Sequence, residues 1–237
     1  KVHFTLSPEH RNLFEMRLNE LIGHYEKKFD VQYEISFSEQ KPSTDTLAVD
    51  MENKPFRNDD GSLLFRPGGH GALIENLNDL NEEIIFIKNI DNIVPDHLRE
   101  ETYRYKKAIG GLLMQLMEQT FDYLDILDGG FLEESELETI KQFAQEKLMI
   151  NIPESFDGIG DIEKIDLLYG LLNRPMRICG MVKNEGEPGG GPYWVKNNEG
   201  YISLQIVESS QMDLKDSQQA AIVAASTHFN PVDLVCG

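Results

Sequence analysis

The opening of the chain constrains the fold more than any later stretch, because its apolar spacing changes period twice. Val2, Phe4 and Leu6 alternate with His3 and Thr5, the two-residue period of a strand. Ser7 then offers N-cap chemistry, Pro8 suits the first helical position and Glu9 the first turn. Phe14, Leu18, Leu21, Ile22, Tyr25 and Phe29 recur every three or four residues, which places them on one helical face. Residues 31–37, with Val31, Tyr33, Ile35 and Phe37 alternating, return to a strand. A strand, a helix and a strand in succession form the unit that joins parallel strands.

Residues 40–61 are turn material, with Lys41-Pro42, Asn53-Lys54-Pro55 and Asn58-Asp59-Asp60-Gly61. The apolar run Leu63-Leu64-Phe65 follows, and Leu73, Leu77 and Leu80 repeat as a short helix would. Ile84-Ile85-Phe86-Ile87 is apolar on both faces, the mark of a strand covered on both sides. Helical periods then dominate: Ile109, Leu113, Leu116 and Met117; Leu137, Ile140 and Ala144; Ile162, Ile165, Leu168 and Tyr169. Gly129-Gly130 and Gly158-Ile159-Gly160 separate these stretches. Strands return after Arg177, with Ile202, Leu204 and Ile206 on one face. The expected fold is α/β with a mixed, mainly parallel sheet. Residues 1–95 and 176–237 form its two halves, and 96–175 is a helical insertion. No internal repeat, coiled-coil heptad or low-complexity tract interrupts this pattern.

Four segments carry chemistry. In Arg66-Pro67-Gly68-Gly69-His70-Gly71, missing Cβ atoms let backbone N–H groups approach a ligand, and Arg66 and His70 add donors for phosphate. The same glycines also suit a tight turn. Lys88-Asn89-Ile90-Asp91-Asn92 follows a buried strand, where ligands of open α/β sheets bind. Asp91 there could hold Mg²⁺, or could join Asn92 in an Asx-turn. The glycine-dense stretch from Lys183 to Gly191 allows close backbone approach, and Lys183 supplies a point charge to phosphate; a flexible hairpin loop is the alternative. In Thr227-His228-Phe229-Asn230-Pro231-Val232-Asp233, polar side chains gather at a proline bend, and Asp233 is a second candidate metal ligand. No nucleophile elbow, Walker loop or His-Glu-x-x-His occurs.

Charge narrows the partners. Against 22 Lys and Arg stand 41 Asp and Glu, a net charge of −19. Nucleic-acid backbone and anionic membrane surfaces both demand the opposite sign. A small phosphorylated ligand is not excluded, since a divalent cation reverses the local field. No apolar run approaches the roughly 18 residues of a membrane helix, and residues 1–8 carry no signal-peptide apolar region. Two cysteines, Cys179 and Cys236, make no disulfide framework and lack zinc spacing. A reducing, cytoplasmic setting is the expectation.

The order of the segments resembles a known group. Ser38-Glu39-Gln40, the Pro-Gly-Gly-His-Gly loop and Asn89-Ile90-Asp91-Asn92 are similar to the core of UDP-sugar pyrophosphorylases, of the nucleotide-diphospho-sugar transferase superfamily. Val182-Lys183, Gly189-Gly190, Leu204-Gln205-Ile206-Val207-Glu208 and Phe229-Asn230 follow in that group's order, and the spelling resembles most a domain-of-unknown-function family. The resemblance touches much of the chain outside 95–175, as islands. It implies a nucleotide-diphospho-sugar transferase fold and a metal-dependent nucleotidyltransferase. A sugar 1-phosphate oxygen would attack the α-phosphorus of a nucleoside triphosphate, releasing pyrophosphate, with Mg²⁺ as cofactor. Gln40, Arg66, Gly68, Gly69, His70 and Gly71 would hold the nucleotide. Asn92, Gly190, Glu208 and Asn230 would hold the sugar phosphate. Asp91 and Lys183 would be catalytic, and Asp91, with Asp233, would hold the metal. Relatives open with a glycine-rich basic loop that belongs ahead of Lys1, often place Asp where Ala72 stands, and carry Lys where Thr227 stands. A non-catalytic sugar- or nucleotide-binding domain on the same fold is the alternative these departures imply.

Overall fold

The strand–helix–strand opening is present in the computed structural model, which describes residues 1–186, 189–198 and 201–237, with the His70 side chain outside the description. The chain divides into two units, Lys1–Glu82 and Glu83–Gly237.

In the first unit, β1 (Val2–Thr5) and β2 (Ile35–Ser38) lie parallel, Val2 opposite Ile35 and Thr5 opposite Ser38, joined by α1 (Pro8–Phe29). Phe14 on α1 reaches both strands, its ring 4.8 Å from Phe4 and 6.1 Å from Phe37. Ser7 occupies the N-cap, but its side chain makes no capping bond. The second strand starts four residues later than its apolar pattern predicts. Asp30 ends α1 in the left-handed region (φ 53°), and Glu26 then accepts from the amides of Val31 and Tyr33, so this stretch turns. Beyond β2, β3 (Thr46–Leu47) pairs antiparallel with β4 (Phe65–Arg66), and bridges Val49–Pro55 and Arg57–Leu63 extend that meander. The one-turn helix α2 (Ile74–Leu77) follows.

The second unit begins with β5 (Ile85–Lys88), then three helices: α3 (Arg99–Asp128), α4 (Glu134–Glu146) and α5 (Asp161–Leu172). Its apolar core sits among them: Leu127 of α3, Leu137, Ile140 and Ala144 of α4, Ile165, Leu168, Leu171 and Leu172 of α5, with Phe156 from the α4–α5 connection. The strands β6 (Arg177–Cys179), β7 (Val182–Lys183), β8 (Gly191–Lys196) and β9 (Ile202–Val207) come next, then α6 (Ser217–Ala225), β10 (His228–Phe229) and β11 (Asp233–Cys236). β11 is the centre of a three-stranded sheet, between β5 and β6. β8 and β9 form a hairpin, and β7 pairs with β10.

The fold is mixed α/β, but the expected mainly parallel sheet is corrected. Among the described residues β1–β2 is the parallel pair, and the other ladders are antiparallel. The misleading stretch is Ile84-Ile85-Phe86-Ile87. Its apolarity suggested a strand covered on both sides, yet β5 is an edge strand and Phe86 is 48% exposed. Phe86 is apolar because its ring packs on α3, where a Cβ on Gly110 would lie 2.6 Å from it. Among the described residues, no helix is long and apolar enough to cross a membrane.

Candidate functional site

The residues expected to bind nucleotide lie in the first unit. Gln40 follows β2, and its amide donates to Asp45 at 3.2 Å. Arg66 lies opposite Thr46 in the β3–β4 ladder, which brings segment 40–46 against the glycine loop. Gly68 is fixed by that packing: a Cβ there would lie 2.6 Å from the Thr44 carbonyl oxygen. Gly69, at φ 73° and ψ −160°, adopts backbone that side chains disfavour. Gly71 differs, since a Cβ there would meet nothing within 4 Å. Packing therefore does not demand glycine at Gly71, and its backbone stays open to an approaching group. His70's side chain is outside the described residues. Asn76 on α2, buried to 4% exposure, supports the segment from behind: its amide donates to Ser38 Oγ at 3.0 Å and the Glu39 carbonyl at 2.8 Å. Nothing in the sequence singled Asn76 out, because a lone Asn in a short helix carries no spacing signal.

The remaining candidates lie in the second unit, around segment 228–233. Asn230 is 5% exposed and fully engaged. Its amide nitrogen donates to the Gly180 carbonyl at 2.6 Å, its amide oxygen accepts from Val232 N at 2.9 Å, and its backbone N–H donates to Gly190 O at 2.8 Å. Val232 follows in left-handed backbone (φ 54°), which turns the chain into β11. The β5 end docks on this turn: Asn92 Nδ2 donates to Pro231 O at 2.5 Å and Asn89 N to Val232 O at 3.2 Å. Lys183 lies opposite His228 in the β7–β10 ladder. A Cβ on Gly190 would overlap Ile206 and lie 3.6 Å from Glu208 Cγ, so the hairpin end sits against the same turn. Asn92, Lys183, Gly190, Glu208, Asn230 and Asp233 thus share one neighbourhood.

The two candidate metal ligands differ in their surroundings. Asp91 is exposed. Its amide donates to Asn89 Oδ1 at 3.3 Å and its Oδ2 accepts from Asn89 Nδ2 at 3.2 Å, an Asx-turn in which the carboxylate has, among the described residues, a neutral donor as its partner. Asp233, opposite Lys88 in the sheet, accepts from Lys88 Nζ at 2.8 Å and from Lys106 Nζ at 2.7 Å, one on each oxygen. Burial alone would push its carboxyl up, but the two ammonium groups outweigh it and hold the carboxyl below the usual range. Among the described residues no three His, Cys, Asp or Glu side chains group as a protein-only metal cage. Mg²⁺ commonly takes one or two carboxylates and completes its shell with phosphates and water. Asp91 fits that role as it stands, whereas a cation at Asp233 must displace a lysine.

A cavity of about 180 Å³ opens beside this turn, lined by Asn184, Gly189, Gly191, Tyr193, Ser209, His228 and Phe229 among others. Thr227 Oγ1 and His228 Nδ1 share a hydrogen bond of 2.8 Å at its edge. The lining residues Asn184, Tyr193, Ser209 and His228 are not among the sequence-derived site residues, although each sits within three positions of one. Their signal is adjacency alone, because a β-ladder decides which of two neighbours points into a cavity. Glu187 and Pro188, from the glycine-dense segment, lie outside the described residues.

A family model described as domain of unknown function (DUF4301) matches residues 1–237, and the chain belongs to that family. No curated protein and no solved structure matches it.

Proposed function

We propose that this member of the DUF4301 family is a metal-dependent nucleotidyltransferase acting on a sugar 1-phosphate, in the manner of sugar-nucleotide pyrophosphorylases. The observation that carries the reading is the neighbourhood around segment 228–233. Residues expected to serve the sugar phosphate come together there from far apart, Asn92 and Pro231 being 139 positions apart in sequence. They meet at the 228–233 turn, beside a cavity that their chain neighbours Asn184, Gly189, Gly191, Ser209 and Phe229 line.

The chemistry needs no protein nucleophile. A phosphate oxygen of the sugar 1-phosphate forms a bond to the α-phosphorus of the nucleoside triphosphate. The bond from that phosphorus to the bridging oxygen breaks, and pyrophosphate leaves with the electron pair. Mg²⁺ held by Asp91 would neutralise charge on the phosphates. Lys183 contributes a second positive charge near the sugar phosphate. Glu208 accepts hydrogen bonds from sugar hydroxyls. Asn230 acts by positioning, since its amide is committed to the turn that carries Gly190 and Asn92. Gln40, Arg66, His70 and the backbone of residues 68–71 hold the nucleotide, with Gly71 the position at which backbone approach costs no packing.

The test is pyrophosphate release from uridine triphosphate with a panel of sugar 1-phosphates, with and without Mg²⁺, on the full-length protein. Release that requires Mg²⁺ and falls at least tenfold in Asp91→Asn, with the fold intact, supports the reading. No binding of any nucleotide or sugar phosphate, with or without Mg²⁺, overturns it. A second reading, binding without turnover, is favoured by Thr227, which stands where the UDP-sugar pyrophosphorylases that the sequence resembles carry Lys, and by the engagement of both Asp233 oxygens. Saturable binding that releases no pyrophosphate selects it.

A further inference from the structure

We propose that a second cavity, between α3 and the connection from α5 to β6, binds a small monocarboxylate with an aromatic or branched apolar body. It lies wholly within the second unit, and its volume is about 210 Å³. Met117, Phe121, Leu124 and Leu172 give it apolar walls. Met176 and Gly237 exchange two backbone hydrogen bonds of 2.9 Å and close one side.

Three polar residues, Thr120, Asn173 and Arg174, interrupt this lining, and two of them carry the argument. Thr120 is 3% exposed and its hydroxyl has no hydrogen-bond partner among the described residues. A helical threonine ordinarily returns its hydroxyl to the carbonyl one turn back. A buried hydroxyl without a partner costs free energy in the empty protein, so a guest that accepts from it gains what the fold forgoes. Arg174 is the other group. Its Nε donates to the Leu171 carbonyl at 2.9 Å, which anchors the stem, and its guanidinium makes no ion pair among the described residues.

A hydroxyl and a guanidinium among the lining residues of one largely apolar cavity match a carboxylate on an apolar body. The carboxylate accepts from both, and the guanidinium excludes cations. Size selects the class further. A protein cavity of about 150 Å³ holds benzene, so this volume takes a ring together with its carboxylate. The overall negative charge slows encounter but is largely screened beyond about 8–10 Å at physiological salt.

The probes are benzoate and toluene, titrated by calorimetry and ligand-observed NMR against the wild-type protein, Thr120→Val and Arg174→Gln. Benzoate should bind saturably, tighter than toluene. Each substitution should weaken benzoate roughly tenfold, the worth of one charge-assisted bond, and leave toluene unchanged. Absence of saturable benzoate binding overturns the proposal. So does benzoate affinity that neither substitution changes, or toluene binding more tightly than benzoate. Arg174 is exposed, so its variant carries the test even if Thr120→Val disturbs the helix. Asp91→Asn should leave benzoate binding untouched, which separates this site from the nucleotidyltransferase reading.

Discussion

Replacing Asp233 by Asn removes the charge that holds two lysines at the sheet centre, and the structure sets the size of the effect. The three side chains are only partly accessible: Asp233 19%, Lys88 24%, Lys106 25%. Exposed ion pairs contribute about 0–1 kcal/mol, and breaking a fully buried one costs about 3–5 kcal/mol. Two charge-assisted bonds at one-fifth exposure fall between, at about 2–3 kcal/mol for the pair together. Asn keeps one carbonyl oxygen for one ammonium but turns an N–H₂ donor towards the other. The loss should lower Tm by about 5–10 °C. The pH dependence carries a sign as well. Because the folded carboxyl titrates below its unfolded value of about 3.9, the unfolded chain binds the proton more readily. The Asp233 contribution is therefore complete above that unfolded value and is lost as pH falls through the depressed folded one. Urea unfolding followed by Trp194, the only tryptophan and a second-unit residue, isolates the relevant transition. Asp233→Asn should be less stable at pH 7, and the gap should narrow below about pH 4. Adding Lys106→Met should recover about 1 kcal/mol, by removing the surplus charge. A variant within about 0.5 kcal/mol of wild type at pH 7, with a gap that does not narrow in acid, would refute the reasoning.

The glycines should separate into two kinds. Gly190→Ala places a methyl into Ile206 and should cost about 1–3 kcal/mol, whereas Gly71→Ala meets open space and should stay within about 0.5 kcal/mol of wild type by thermal denaturation. Asn230→Ala strips hydrogen bonds from the Gly180 carbonyl and the Val232 amide and should cost about 2–3 kcal/mol, with faster hydrogen exchange at the Val232 amide as a local readout. Phe156→Ala empties a core position of 3% exposure and removes the ring beneath Lys141 and Lys164, so urea denaturation should show a loss of about 3–5 kcal/mol.

Elements whose partners are local were legible from spacing. Strand β1, the helix from Pro8 to Phe29 and a parallel return after it follow from patterns that a short window contains, although β2 begins at Ile35 and not at Val31. In α4, Leu137, Ile140 and Ala144 were placed by period alone and are all buried. The same reasoning fails one helix later. Ile162 carries the apolar period of α5 yet is 75% exposed, while Lys164 is 6% exposed, its ammonium reaching Glu134 at 3.0 Å. Period identifies a helix, but the rotation of that helix is chosen by what it packs against, and a lysine stem is apolar enough to be covered.

The candidate site shows the same division. That Asn89 to Asn92, Lys183 to Gly191 and Thr227 to Asp233 carry polar and glycine-rich chemistry is written in the residues themselves. That Asn230 bonds Gly180 and Gly190, and that Asp233 faces Lys88 and Lys106, is not. The chain's own order determines which segments are helical, which are extended and which can turn, because those preferences act within a few residues. Which strand lies beside which, and hence which carboxylate stands free at Asp91 and which is held at Asp233, was decided only in three dimensions. A backbone hydrogen bond between strands is the same bond whatever the side chains, so its partner is chosen by the packing of the whole unit.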